Sequence, residues 1–137
     1  MPVLTRWFIK ASLLYLVISL GISVWLAAEV VGAPHISGLS AVFFHFFLVG
    51  WVTQIIIGVA FWFLPKYTRE RPRRSESLAW AVFWLLNIGL LLRGIAEPDF
   101  MRGQDQLRGY ILILSAIFQW LAGLFFVINS WGRIKER

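Results

Sequence analysis

The stretch LSAVFFHFFLVGWVTQIIIGVAFWFL, from Leu39 to Leu64, carries no Asp, Glu, Lys or Arg. A helix needs about 20 predominantly apolar residues to cross the hydrocarbon core of a bilayer, and this run exceeds that. Near its first third stands His45, the one titratable side chain it contains. An ionisable group at membrane depth is costly, which makes His45 the first candidate functional residue. Imidazole is also a frequent ligand of haem iron and of other transition metals.

Working outward, three more apolar runs reach spanning length. The expected spans are residues 7–31, 37–64, 78–95 and 107–131, with Pro65 closing the second. The fold class is therefore an all-α polytopic membrane protein, a single domain of four transmembrane helices over residues 1–137. Strands of a membrane barrel would be about 9–11 residues long and would alternate in polarity, which these runs do not. The composition agrees: 59% of residues are hydrophobic, against roughly 45–50% in soluble domains, and the mean hydropathy is +0.74. Arg6 and Lys10 before an apolar run that ends near Ala27 and Ala28 also fit a signal peptide. The run is longer than a typical signal-peptide core, so a retained span is expected.

Basic residues set the expected orientation. Arg6, Lys10, Lys66, Arg69, Arg71, Arg73, Arg74, Arg133, Lys135 and Arg137 fall on one side of the four spans. Arg93, Arg102 and Arg108 fall on the other, offset by Glu29, Glu97, Asp99 and Asp105. Both termini are expected at the cytoplasmic face of the cytoplasmic (inner) membrane. The net charge of +6 is thus distributed as membrane anchors are, and the bilayer, not nucleic acid, is the expected partner. The basic run at 69–74 reads first as a topology determinant, with anionic lipid headgroups as the other reading.

Several chemistries are excluded. The chain has no cysteine, hence no disulfide, thiolate metal site, iron–sulfur cluster or thioether-linked haem. Nucleophile–base pairs, phosphate-binding glycine loops and zinc-ligand spacings are missing too. No carboxylate lies in the middle of a span, which counts against a proton-coupled transporter.

His45 lies about 12 Å below the outer end of the second span at 1.5 Å per residue. On its face, Gly38, Ala41 and Val42 precede it, and Val49, Val52 and Thr53 follow. These slim residues leave clearance for a flat cofactor, and they would equally suit close helix packing. Gly50, Gln54 and Gly58, spaced by four, form a second stripe about 140° away on the 100°-per-residue rule. That stripe is expected to pack against another helix, with Gln54 hydrogen-bonding across the contact. Asn87, Ser115 and Gln119 are likewise expected to bond to neighbouring helices. Of the tryptophans, Trp7, Trp25 and Trp131 fit the interfacial belt. Arg93, near the outer end of the third span, and Arg102 and Arg108 from the outer loop are candidates to hold haem propionates, because guanidinium binds carboxylates bidentately.

The residues His45-x4-Gly50-Trp51-Val52-Thr53-Gln54-x3-Gly58-Val59-Ala60-x4-Pro65 resemble a histidine-bearing helix of the haem–copper oxidase subunit I superfamily. The likeness is nearest to small subunit-I-like and nitric-oxide-response haem proteins. It covers about thirty residues; elsewhere it rests on span count and polarity. Relatives often carry a His-x-His pair here, and Phe43 stands where the first would be. The resemblance implies a helix presenting histidine to a non-covalent b-type haem in the outer half of the membrane. It does not carry oxygen reduction, because the copper-site histidines are lacking, so no independent catalytic activity is expected. The catalytic subunits are built from three four-helix arcs, and a four-helix relative resembles one arc and implies a homo-oligomer.

Ligand counting narrows this further. His35 lies ten positions before His45, about 15 Å higher and about 80° off its face, and is expected to be solvated. Met1 and Met101 fall outside the spans. His45 thus leaves a haem five-coordinate and open to NO or O2, or shares it with His45 of a second copy for electron transfer. A third outcome is that His45 binds nothing and hydrogen-bonds to Asn87 or Gln119. The competing functional reading is a non-catalytic structural subunit of a larger respiratory or photosynthetic complex.

Overall fold

The structure is a computed structural model that describes residues 1–65, 75–98, 103 and 105–134. Four long helices make up almost all of it: α1 (Val3–Val30), α2 (Leu39–Phe63), α3 (Glu76–Ala96) and α4 (Asp105–Trp131). Each is long and apolar enough to cross a membrane, the architecture of a multi-pass membrane protein. Their ends lie within a few residues of the expected spans. The extra residues of α3 and α4 are mostly polar ones at the helix starts. Glu76 and Asp105 occupy first turns, where a carboxylate complements the positive end of the helix. Ser75 caps α3, its side chain accepting from the Leu78 N–H at 3.2 Å. Leu64 is extended (ψ 142°), as the residue before Pro65 must be when a proline stops a helix.

Polarity is distributed as the bilayer requires. The outward side chains are large and apolar, among them Val17, Val24, Phe63, Trp84, Leu91 and Trp120. An apolar exterior of this extent is the surface of a protein solvated by lipid. The fully buried set includes polar residues instead: Ser12, Ser19, Gln54, Ser115 and Asn129. Each makes at least one hydrogen bond, although Gln54 Oε1 has no partner in the structure. Ser12 and Ser19 donate to the carbonyls of Ile9 and Leu16 in their own helix. Ser115 donates across to the Gly89 carbonyl at 2.6 Å.

The helices pack chiefly as two antiparallel pairs, α1 with α2 and α3 with α4. Between α1 and α2 the stripe expected from sequence does its packing. A Cβ on Gly50 would lie 2.6 Å from the Tyr15 ring, and one on Gly58 would lie 2.6 Å from Phe8 Cβ. Buried Gln54 donates to Asn87 of α3 at 3.3 Å, joining the two pairs. Gln119 differs from expectation: it donates to Ser115 of its own helix at 3.1 Å, because Ser115 already reaches across to α3.

Two arginines tie helix ends together. Arg133, beyond the end of α4, is 2% exposed and donates to the carbonyls of Phe61, Leu64 and Pro65 at the end of α2. Arg108, in the first turn of α4, donates to the carbonyls of Ala96 and Glu97 at the end of α3, both at 2.7 Å. The last carbonyls of a helix have no partner within it, and cations near them also favour the helix dipole. The sequence marked Arg133 as a topology charge and Arg108 as a candidate propionate partner; the fold adds a capping role for each.

The second span is not uniformly α-helical. Leu39–Phe44 and Gln54–Phe63 are α-helical, and His45–Thr53 between them is a π-helix. Thr53 Oγ1 accordingly bonds to the carbonyl five residues back, Leu48, at 2.9 Å. Bonding from i to i+5 widens the helix, and successive side chains turn by less than 100°. The angle expected between His45 and the Gly50 stripe therefore does not hold across this segment. Extended π-helix is rare and recurs at functional sites.

Candidate functional site

The π segment begins at His45, and the ring lies where the start of α2 meets the end of α3. Gly38, in a left-handed conformation (φ 81°), opens α2 with its Cα against the backbone of Glu97 and Pro98. Any Cβ there would overlap the Glu97 carbonyl. This contact presses the last turn of α3 against the first turns of α2. It brings Glu97, expected in a solvated outer loop, into the interior at 8% exposure.

Glu97 and His45 form the centre of the site. His45 Nδ1 lies 2.9 Å from the Ala41 carbonyl and 3.2 Å from Glu97 Oε1. A carbonyl only accepts, so Nδ1 carries the proton and donates. Nε2 has no hydrogen-bond partner among the described residues. The side chain is 32% exposed, so the ring is neither sealed in the core nor fully outside.

Arg93 completes the network. Its NH1 donates to Glu97 Oε1 at 2.9 Å, with side chains 18% and 10% exposed. Glu97 needs that compensation. A carboxylate just past a helix C-terminus faces the negative end of the dipole, and Arg93 and Arg108 bring two cations to the same end. Two buried atoms of the network have no hydrogen-bond partner in the structure: Arg93 Nε, a donor, and Glu97 Oε2, an acceptor. Unpaired buried polar atoms at a site mark places for a water, an ion or a ligand.

The other expected residues divide clearly. Arg93 lies beside His45, but its NH1 is committed to Glu97, leaving Nε as the donor still open to an anion. Arg108 is spent on helix-end carbonyls. Arg102 lies outside the described residues, as does the basic run at 69–74. His45 bonds to neither Asn87 nor Gln119; those amides face Gln54 and Ser115. The slim residues around His45 are partly consumed by packing, with Gly38 against α3 and Val42 buried at 3%. His35 is exposed at the α1–α2 turn and pairs with Glu29 at 2.7 Å, while Glu29 also accepts from the Ile36 N–H.

Chemically, the arrangement offers one imidazole nitrogen without a hydrogen-bond partner and the opposite nitrogen bonded to the Ala41 carbonyl, with a carboxylate beside it. Metal-ligating histidines have this same arrangement, their second nitrogen donating to a carboxylate or carbonyl that fixes tautomer and ring orientation. Among the described residues there is no cluster of three or more His, Asp or Glu side chains to cage a bare ion. The sequence signal for Glu97 was present but faint: Arg93 and Glu97 stand four apart, just before a proline. Nothing in the linear order placed that pair against residue 45. Comparison with protein-family models, with curated proteins and with solved structures finds no match, so the reading of the site stands on its own residues.

Proposed function

We propose that this chain is a membrane-embedded b-type haem protein for electron transfer or diatomic-gas binding, with His45 Nε2 as the axial ligand. The observation that carries this reading is the hydrogen bond from His45 Nδ1 to the Ala41 carbonyl, with the Glu97 carboxylate 3.2 Å from the same nitrogen. It leaves Nε2 without a hydrogen-bond partner among the described residues, so that nitrogen is available to a ligand-accepting metal. The Glu97 carboxylate, 3.2 Å from Nδ1, stands where the carboxylate partner of a ligating histidine stands. Arg93 offsets the charge of Glu97 and keeps one buried donor, Nε, for an anionic oxygen such as a propionate carboxylate. When bound, the haem would supply the redox couple or the gas-binding iron, and the protein supplies ligand, orientation and dielectric.

The same reading places both termini at the cytoplasmic face of the cytoplasmic membrane and His45 in the outer half of the bilayer. With one ligand histidine per chain, it also implies either an open coordination position or a homo-oligomer sharing haem between two His45 side chains. The resemblance to haem–copper subunit I supports a non-covalent b-type haem.

A second reading, a structural subunit of a larger respiratory or photosynthetic complex, has one observation in its favour. Arg108 donates to helix-end carbonyls and Arg93 NH1 to Glu97, so the cationic partners of a haem are fewer than the sequence led one to expect. An absorption spectrum separates the two. Protein purified from haem-replete cells should be red, with a Soret band lost in His45→Ala. Colourless wild-type protein, stable only with partner subunits, would decide for the structural role. Carbon monoxide binding to the reduced protein would then select the open site over the shared one.

A further inference from the structure

Away from the His45 end, a groove of about 480 Å³ lies between the first half of α1 and Phe83 of α3. These two helices touch little, and aromatic contacts close the inner wall: Trp7 and Phe8 meet Phe83 edge-on at 6.1 and 5.1 Å. Trp7, Ala11, Leu14 and Phe83 give the groove an apolar lining, and Arg6 and Lys10 line its upper part. Arg6 and Lys10 are four apart, hence neighbours on one face of the helix. Both are exposed, and neither forms an ion pair among the described residues.

Depth identifies the occupant. From Val3, Arg6 and Lys10 lie about 5 and 10 Å along the helix and Leu14 about 16 Å. The cations thus sit at headgroup level, and the apolar wall continues below them to acyl-chain depth. A soluble anion would use the cations and leave the wall empty. A neutral lipid would use the wall and leave two cations unpaired. We propose that this groove is a binding site for one anionic diacyl phospholipid, its phosphodiester on Arg6 and Lys10 and its upper acyl chain along Trp7, Ala11, Leu14 and Phe83. The site depends on the membrane architecture and not on the haem.

Each basic residue near an anionic lipid surface favours binding by about fivefold, so the pair gives about 25-fold preference for an anionic over a zwitterionic lipid. The test uses the full chain in phosphatidylcholine nanodiscs containing a minor fraction of phosphatidylglycerol. Native mass spectrometry counts the lipids retained. Wild type should keep one phosphatidylglycerol per chain, and Arg6→Gln/Lys10→Gln should bring retention near parity with phosphatidylcholine. Ala11→Leu, which fills the groove and leaves both charges, should also lose the retained lipid, with Ala11→Val as the milder variant if its melting temperature falls. Arg69→Gln/Arg71→Gln should change nothing. Preference that survives Arg6→Gln/Lys10→Gln, or that follows residues 69 and 71 instead, overturns the site. Retention unchanged in a folded groove-filling variant would mean diffuse attraction without a seat, and competition by inorganic phosphate at equal concentration would mean a soluble ligand.

Discussion

Replacing Glu97 by glutamine keeps the shape of the side chain and removes its charge. In the structure that charge compensates Arg93 at 2.9 Å and lies 3.2 Å from His45 Nδ1. Removing one partner of a buried ion pair costs about 3–5 kcal/mol, because the other charge stays buried alone. Two terms reduce this. Arg93 is 18% exposed, so some solvent or headgroup reaches it. Removing a negative charge from a helix C-terminus also regains about 0.3–1 kcal/mol. The expected loss for Glu97→Gln is about 2–3 kcal/mol. Arg93→Gln, which strands the carboxylate at the unfavourable end of the helix, should cost at least as much. The double variant strands neither charge, so it should be more stable than the two single losses added together. A coupling of about 1–3 kcal/mol in a double-mutant cycle is expected, measured by equilibrium unfolding in mixed micelles. Additive losses, with coupling under about 0.5 kcal/mol, would refute the claim that these side chains form one network.

Three other outcomes follow from the packing. Arg133→Gln should destabilise by about 2–4 kcal/mol, since three carbonyls at the end of α2 lose a charged donor, each such bond being worth about 1.5–3 kcal/mol before water replaces it; a melting temperature equal to wild type would show the cap to be idle. Gly50→Val should separate α1 from α2 at Tyr15 and cost about 1–3 kcal/mol by overpacking, whereas Gly123→Ala, with open space at its Cβ, should be neutral in the same melt. Because the chain has no native cysteine, single cysteines placed at 69–74 should react with a membrane-impermeant maleimide only from the cytoplasmic side; labelling from outside would invert the proposed orientation.

The fold was legible because it is set by a simple inequality: four apolar runs are longer than a bilayer is thick. The Gly50, Gln54 and Gly58 stripe was legible for a similar reason, since spacing by four marks one helix face. His45 was legible because a titratable group stands out in a run that has no other. What the sequence hid depends on contacts between distant residues. Glu97 lies 52 positions from His45 (97 − 45), and packing between α2 and α3, at Gly38 against Glu97 and at Phe46 against Gly94, brings them together. The roles of Arg108 and Arg133 depend on which helix ends lie beside the two ends of α4. The π segment has no signature in apolar periodicity, because His45–Thr53 reads equally well as α-helix. It is nonetheless the segment that begins with the candidate ligand.

In the proposed haem protein His45 acts through Nε2 as a ligand and not as packing. His45→Gly removes the ring and leaves a space that free imidazole can enter. The haem spectrum of this variant, recorded with and without imidazole, separates ligation from packing. The expected result is loss of the Soret band without imidazole and its return with it, at the wild-type haem-to-protein ratio. A His45→Gly protein that retains haem fully without imidazole would contradict the claim, as would a folded wild-type protein that binds none.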